Sequence, residues 1–161
     1  MKKIFVLLFS FLLLCGCASE KSTSPIVDNI SFTATINYND TVYECNAEIL
    51  HSNISLSLLK PNDIKDLIIK IDDNSITTEF FGVNHTYSLD SLPHGALARL
   101  ILVVIDDVSN KTIEHTEGNG ELCGFCDEYN YKFVFSPSGT PLLLEINELN
   151  FSMEFKNIVL K

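Results

Sequence analysis

The chain has 161 residues, of which 46% are hydrophobic and 20% are charged, so it is long and apolar enough for one ordinary globular domain. This composition excludes an intrinsically disordered chain, and five cysteines are too few for a dense disulfide scaffold. Acidic residues outnumber basic ones by 21 to 11, which gives a formal net charge of −10 at pH 7. Because nucleic-acid binding depends on clustered Lys and Arg, the sequence predicts no DNA or RNA partner.

The N-terminal residues have the features of an export signal. Lys2 and Lys3 precede an apolar run over residues 4–14, and Cys15-Gly16-Cys17 follows directly. As a helix this run would rise about 16 Å, roughly half the hydrocarbon core of a bilayer. The run is therefore too short for a permanent membrane span, and it is typical of a signal peptide.

Leu14, the small residue Gly16 and then Cys17 stand in the order of the lipobox, and this segment resembles that of bacterial lipoproteins. The resemblance implies a signal peptide over residues 1–16, cleavage before Cys17 and a diacylglycerol on its sulfur. Residues 17–30 would then be the lipidated cysteine and a polar tether. The protein would be held on the extracytoplasmic face of the cell membrane by lipid alone. The alternative is a plain secretory signal with a chance cysteine.

Alternating apolar and polar residues predict a series of strands from Ser31 onwards. One apolar residue in two, with polar residues between, is the pattern of a strand that buries one face. Turn-forming pairs such as Asn39-Asp40 separate the runs, which indicates a meander. The predicted strands cover residues 31–38, 41–50, 54–58, 67–71, 76–81 and 83–89.

The spacing of apolar residues changes after Pro93 and predicts a helix over residues 93–108, with Asp90 or Ser91 as its cap. The helix would be apolar on nearly all sides and therefore buried. The run over residues 100–105 is also compatible with a fully buried strand, and periodicity alone leaves both open. The apolar positions are Leu97, Leu100, Ile101, Leu102, Val103, Val104, Ile105 and Val108.

The strand pattern returns over residues 129–135, 142–146 and 151–156. Strands, one apolar helix and strands again predict an α+β fold, in which a curved antiparallel sheet forms an incomplete barrel around one apolar helix. Residues 31–161 are expected to form this single domain.

Short strings along this domain resemble the LolA-like group of lipoprotein carriers, which includes the LppX-like proteins. The resemblance implies an incomplete barrel whose apolar cavity holds acyl chains under a helical lid, and a non-enzymatic carrier of a lipid or other apolar ligand. The strings are Phe32-Thr33-Ala34, Tyr43-Glu44-Cys45, Leu58-Leu59-Lys60-Pro61, Leu92-Pro93, Ser138-Gly139-Thr140-Pro141-Leu142 and Met153-Glu154-Phe155-Lys156-Asn157.

The expected pocket lies on the inner face of the sheet and the helix, where large apolar side chains accumulate. The same side chains are also what an ordinary core requires, since a sheet buries one face. A second hypothesis is therefore a lipoprotein with a filled core that acts by binding a protein partner through its acidic exterior. The residues expected to line the pocket are Phe32, Ile36, Tyr43, Ile49, Leu56 and Leu100.

Among the motifs of the sequence, Cys123-Gly124-Phe125-Cys126 is the one most capable of chemical reactivity. Its glycines and the strand pattern after it indicate a loop or hairpin closed by a small disulfide, with two free thiols as the alternative. A thiol–disulfide function is a third hypothesis, although a reactive first cysteine needs a helix N-terminus that the pattern does not show. Cys45, on the inward face of a predicted strand, is expected to be a small buried hydrophobe, with a disulfide to Cys123 or Cys126 as the alternative if the fold brings them near.

Motifs of common enzymes are absent from the sequence. It contains no Gly-x-Ser-x-Gly, His-Glu-x-x-His or Gly-x-x-x-x-Gly-Lys, and its four His residues follow no diagnostic metal-ligand spacing. The sequence therefore predicts a protein that is not an enzyme and needs no cofactor or metal.

Overall fold

The computed structural model describes residues 21–161 except Ser52, Asp73, Thr116, Glu117 and Asp127. The predicted signal peptide and Cys17 lie outside the described residues. The described elements are β1 (Lys21–Thr23), β2 (Ile30–Tyr38), β3 (Thr41–Leu50), β4 (Asn53–Lys60), β5 (Ile68–Ile71), β6 (Ser75–Phe80), β7 (Val83–Ser88), α1 (Leu97–Ser109), β8 (Ile113–His115), β9 (Gly120–Cys126), β10 (Tyr129–Phe135), β11 (Pro141–Ile146) and β12 (Phe151–Leu160), with 3-10 turns at Asn62–Ile64, Leu89–Ser91 and Asn147–Leu149.

Ten of these strands form one antiparallel sheet in the order β7-β6-β5-β4-β3-β2-β12-β11-β10-β9. The two edge strands, β7 and β9, do not pair with each other, so the curved sheet stays open as an incomplete barrel. Helix α1 packs on the inner face. Strands β1 and β8 pair separately beside this sheet. The predicted α+β fold, a curved antiparallel sheet on one apolar helix, is confirmed.

The alternation expected from the sequence sets which face of each strand is buried. In β2, Phe32, Ala34 and Ile36 are at most 4% exposed, whereas Thr33 and Thr35 between them are partly exposed. Successive side chains of a strand point to opposite faces, so this pattern places one apolar face against the helix. Cross-strand neighbours then meet on that face, and four phenylalanines stack in its centre: Phe32 on Phe155, Phe155 on Phe133 and Phe133 on Phe135.

The register defines two ends of the sheet. At the near end, where β2 begins, a row of isoleucines crosses five neighbouring strands. At the far end lie the turn after Tyr38 and the turn at Phe81-Gly82. The N-terminal segment enters the sheet at the near end. The isoleucine row consists of Ile30, Ile49, Ile54, Ile71 and Ile76, all at most 3% exposed.

Helix α1 resolves the ambiguity of the run over residues 100–105, which is helical. It begins at Leu97 rather than Pro93, and its N-cap is Ala96, without a side-chain cap, rather than Asp90 or Ser91. The reason is tertiary: the Tyr38 hydroxyl donates a hydrogen bond to the carbonyl of Gly95 at 2.5 Å. This contact fixes the preceding segment against the far end of β2. The helix is buried on most sides, as expected.

Three strands fall where the pattern did not predict them. β1 lies within the segment expected to be a tether, and its partner β8 and the neighbouring β9 follow the helix. The first two have three residues each, which is too few for a periodicity to show. Among the described residues, helix α1 is too short to cross a bilayer, and no other helix there is long and apolar enough to do so.

Candidate functional site

The strongest candidate for a binding site is a cavity between helix α1 and the near end of the sheet. Its volume is about 340 Å³. Small-ligand sites usually have roughly 300–1,000 Å³, so this one suits a single hydrocarbon tail or a small apolar molecule. The described residues that line it are Val27, Asp28, Ile49, Leu89, Leu102, Val103, Ile105, Asp106 and Ser109.

The helix contributes a stripe along one side of the cavity. Leu102, Ile105, Asp106 and Ser109 follow the spacing that places side chains on one helical face. The first two are at most 9% exposed and form the apolar depth, whereas Asp106 and Ser109 are exposed. The Ser109 hydroxyl donates to the Asp106 carbonyl at 2.8 Å, near the end of the helix. The stripe therefore changes from apolar to polar towards the rim.

The N-terminal segment forms the opposite wall. Val27, 2% exposed, and Asp28 lie beside Ile49 of the isoleucine row. The segment is held by a hydrogen bond from the Ile26 N–H to the Gly139 carbonyl at 2.8 Å. Gly139 has a φ of +83°, and a Cβ there would overlap the Ser24 carbonyl, so this close approach requires glycine.

Leu89 completes the lining at the end of the β6–β7 hairpin. Its N–H donates to the Asn74 carbonyl at 2.9 Å, and its own carbonyl accepts a hydrogen bond from Nη1 of Arg99 at 3.2 Å. The second bond ties the helix to the segment that leaves the sheet. The cavity wall is thus built from the helix, the sheet, and chain segments on both sides of it.

The structure brings the six residues of the expected pocket onto one inner face, but only Ile49 lines the cavity. Phe32, Ile36, Leu56 and Leu100 are at most 4% exposed and belong to the packed core, and Tyr43 packs against it. Most of the inner face is therefore filled by the helix. The cavity lies at the near end, where the helix stripe and the N-terminal segment form its opposite walls.

Five apolar lining residues were not among those expected from the sequence: Val27, Leu89, Leu102, Val103 and Ile105. A signal existed for two of them. Leu102 and Val103 lie opposite the apolar face whose spacing predicts the helix. A second apolar face of this kind needs other residues to cover it. Val27 lies in a loop and Leu89 begins a 3-10 turn, and periodicity carries no information about burial in segments this short.

A second cavity of about 390 Å³ lies at the same end of the sheet, over strands β3 to β6. Its lining includes Glu48, Lys70 and Asp72, and two of these three charges already have partners. Lys70 Nζ lies 3.5 Å from Glu79, and Glu48 lies 2.7 Å from Lys161 Nζ. Hydrogen bonds from Asn74 and Ser75 lower the pKa of Asp72, which shapes the turn there. Six of its nine described lining residues are polar or charged, against three of nine in the cavity under helix α1.

The Cys123-Gly124-Phe125-Cys126 segment is part of strand β9, which forms a hairpin with β10, so of the two expected structures it is the hairpin and not the loop. Cys123 is exposed and Cys126 is 5% exposed, because residues three apart on a strand point to opposite faces. No disulfide joins them. Gly124 lies directly under the ring of Tyr131 on the neighbouring strand, where a Cβ would overlap that ring.

Cys45 lies on the inner face of β3, as the alternation predicts, and is fully buried. Burial raises the pKa of the Cys45 thiol to about 11, although a backbone hydrogen bond with Ala34 acts in the other direction. A thiol with this pKa stays protonated near neutral pH and is a poor nucleophile. Its role is packing, in agreement with the sequence-based expectation.

Asp107, Lys111 and Tyr131 form a partly buried polar cluster that links the end of the helix to strand β10. Lys111 Nζ lies 2.6 Å from Asp107 Oδ2 and 2.9 Å from the Tyr131 hydroxyl, which also donates to Asp107. Burial and the Asp107 hydrogen bond raise the pKa of Tyr131 to about 12. Partial burial acts to raise the pKa of Asp107, but hydrogen bonds from Lys111 and Tyr131 outweigh it, so the pKa of Asp107 is lowered. These hydrogen bonds hold the C-terminal end of helix α1 against strand β10.

Within the described part of the chain, no three His, Cys, Asp or Glu side chains are placed to hold a metal ion. The buried side-chain nitrogen and oxygen atoms of the same residues all have hydrogen-bond partners. The apolar cavity therefore remains the feature with the clearest capacity to bind something.

Comparisons with known proteins match this chain by structure alone. No protein-family model matches the sequence, and no curated protein does. A conserved uncharacterized protein from Thermus thermophilus aligns with a TM-score of 0.51 and 7% identity, over 84% of this chain and 80% of its own. The two proteins share a fold.

A LolA superfamily protein from Nitrosomonas europaea is also a structural neighbour. It aligns with a TM-score of 0.41 and 8% identity, over 86% of this chain and 88% of its own.

Proposed function

We propose that this protein is a lipid-anchored, non-enzymatic binder of an apolar molecule, with its site in the cavity under helix α1. The observation that carries the proposal is the cavity of about 340 Å³, with an apolar depth and a polar rim. Sites of this kind bury a hydrocarbon chain and leave its polar group near water. The lipobox-like segment and the LolA-like strings support an envelope protein of this class.

The position of the cavity supports the same proposal. Cys17 precedes β1, and the N-terminal segment contacts Gly139 and Ile49 at the near end of the sheet before the chain enters β2. Val27 and Asp28 of that segment line the cavity itself. A lipid on Cys17 would therefore hold the near end, with its cavity, closer to the membrane than the far end. This arrangement suits exchange of a ligand between the bilayer and the protein.

The test is native mass spectrometry and organic extraction of a chain that starts at residue 18. All described elements lie within residues 21–161, so this chain contains them. We expect one apolar molecule per folded protein, or uptake of a fluorescent fatty-chain probe by the emptied protein. An empty protein that takes up no such probe would contradict the proposal.

A pair of variants localises the binding. Val103→Trp fills the cavity from its partly exposed wall, whereas Val42→Trp adds the same side chain at a 52% exposed position on β3. We expect the first to lower probe binding at least about tenfold and the second to leave it unchanged. Equal melting temperatures would show that both are folded. Equal probe binding by the two variants would place the ligand elsewhere.

The second candidate function is a protein-interaction module, and the β6–β7 hairpin favours it. Phe81 at the far-end turn is 88% exposed, and its ring packs on Phe80 at 4.3 Å. All six residues of edge strand β7 are exposed. Exposed apolar surface on an edge strand, whose outer edge has no partner strand in the sheet, is a common binding feature. A photo-cross-linker at position 81 that captures a single envelope protein, with none captured at position 42, would support this alternative.

A further inference from the structure

The N-terminal strap, defined as residues 21–28, is a wall of the cavity that does not belong to the ten-stranded sheet. Its first three residues form β1, which pairs with β8 in a separate sheet of two strands. Its last two residues, Val27 and Asp28, line the cavity. The strap can therefore leave the cavity without breaking the hydrogen bonds that join the strands of the main sheet.

The boundary between the strap and the main sheet is a sharp turn at Asn29. This residue has a φ of +53°, in the left-handed region that Asn adopts more readily than most residues. Its carbonyl accepts a hydrogen bond from the Lys161 N–H at 2.7 Å, and β2 begins at the next residue. The sheet thus holds the chain from Asn29 onwards, and this turn is the natural hinge for the strap.

The contacts that dock the strap are small compared with those inside the main sheet. Strands β1 and β8 have three residues each, whereas the neighbouring strands β2 and β3 have nine and ten. The Ile26 N–H donates to the Gly139 carbonyl at 2.8 Å, and Val27 is buried with 2% exposure. Short two-stranded pairs are only marginally stable by themselves, and local opening is concentrated where the contacts are smallest.

We propose that the strap docks over the cavity reversibly, and that the ligand binds tightly to the docked form and leaves through the undocked form. This inference rests on the proposed function and describes how its site is regulated. A ligand that touches Val27 and Asp28 gains these contacts only in the docked form, so it shifts the population towards that form. By linkage, docking of the strap raises the affinity for the ligand by the same factor.

A disulfide between the strap and β8 tests this mechanism. Ser22 and Glu114 are exposed partners in the β1–β8 register, so cysteines at these positions lie near the distance that a disulfide spans. The strap variant is Ser22→Cys/Glu114→Cys with Cys123→Ser, which removes the exposed native thiol.

The matched control carries Asn37→Cys/Ser152→Cys in the same Cys123→Ser background. Asn37 and Ser152 are register partners on two strands of the main sheet, and the Asn37 amide nitrogen lies 3.1 Å from the Ser152 hydroxyl. A disulfide there leaves the strap free to move.

The readout is the release of N-phenyl-1-naphthylamine, an uncharged apolar fluorophore, from the loaded chain that starts at residue 18 into phosphatidylcholine vesicles. We expect the oxidised strap variant to release this probe at least about tenfold more slowly than its reduced form, because the undocked form is no longer reached. The oxidised and reduced control should release it at the same rate. Equal or faster release from the oxidised strap variant would overturn the proposal.

Hydrogen exchange measures the opening of the strap separately from binding. We expect the amides of β1, β8 and Ile26 to exchange at least about a hundredfold faster than those of β2, and bound probe to slow them. Strap amides that exchange as slowly as β2 in a protein that binds the probe would overturn reversible docking and leave the proposed function standing. If the strap exchanges quickly but the protein binds no probe, the proposed function is wrong and the coupling fails with it.

Discussion

Cys45 and Cys123 carry the same thiol in opposite environments. Cys45 is fully buried on the inner face of β3, and Cys123 is exposed on β9 near the open edge of the sheet. Since the thiolate is the reactive form and needs access to reagent, burial and a raised pKa both protect Cys45. Position on a strand face, rather than the spacing of the cysteines, decides their chemistry.

We predict that iodoacetamide at pH 8 alkylates Cys123 rapidly and Cys45 at least about a hundredfold more slowly, because Cys45 reacts only through unfolding. Peptide mass spectrometry of timed samples measures both rates. In guanidinium chloride the two rates should become similar, which serves as the control. Comparable rates in the native protein would mean that the inner face opens under native conditions.

At the scale of elements, helix α1 is held at both ends by tyrosines of the sheet. Tyr38 donates to the Gly95 carbonyl just before the helix, and Tyr131 contacts Asp107 and Lys111 at its other end. Gly124 leaves room for the Tyr131 ring on the adjacent strand. These contacts set the position of the helix, and thereby the space left between its stripe and the near end.

We predict that Asp107→Asn lowers the free energy of unfolding by about 1 kcal/mol at neutral pH, a value that allows for its 35% exposure. The pKa of Asp107 is lowered on folding, so its contribution is fully present above the ordinary carboxyl pKa and is lost as the pH falls from there through the lowered pKa of the folded state. The variant should therefore lose part of the acid dependence of stability. Denaturant unfolding from pH 3 to 7 measures this.

At alkaline pH the stability changes in the opposite direction: the contribution of Tyr131 is lost as the pH rises. The pKa of Tyr131 rises from about 10 to about 12 on folding, so its contribution is complete below pH 10 and is lost as the pH approaches 12.

For the acid-side prediction, Asp106→Asn at the exposed neighbouring position is the control and should leave the acid dependence of stability unchanged. The same pH dependence of stability in the Asp107 and Asp106 variants would contradict a stabilising contact between Asp107 and Tyr131 at the end of the helix.

For the whole molecule, packed core and empty cavity occupy different parts of one inner face. Leu100 is fully buried and does not line the cavity, although it was expected to. We predict that Leu100→Ala lowers the free energy of unfolding by about 2–5 kcal/mol and changes probe affinity less than twofold. Chemical denaturation and probe titration of the same variant measure the two effects. A large loss of affinity without a loss of stability would show that the cavity extends under Leu100.

Much of the fold could be predicted from the sequence, and less of the site. The inward face of β2, from Phe32 to Ile36, follows from strict alternation. The apolar spacing predicted the helix, although over residues 100–105 it also allowed a buried strand. The start of the helix at Leu97 could not be predicted, because the contact of Tyr38 with Gly95 joins residues that are distant in the chain. Of the residues expected to line a pocket, Ile49 alone does so, since apolar pattern reports burial and not whether the buried space is filled.

The sequence by itself determined the class of fold, the buried face of each main strand and the acidic character of the protein, because these depend on local periodicity and composition. Only the tertiary structure decided where space remains, which carboxylates border it and that Cys123 and Cys126 lie on opposite faces of a strand. These properties depend on how the helix, the near end of the sheet and the N-terminal segment pack together. Packing joins residues far apart in the chain, and a local pattern carries no record of it.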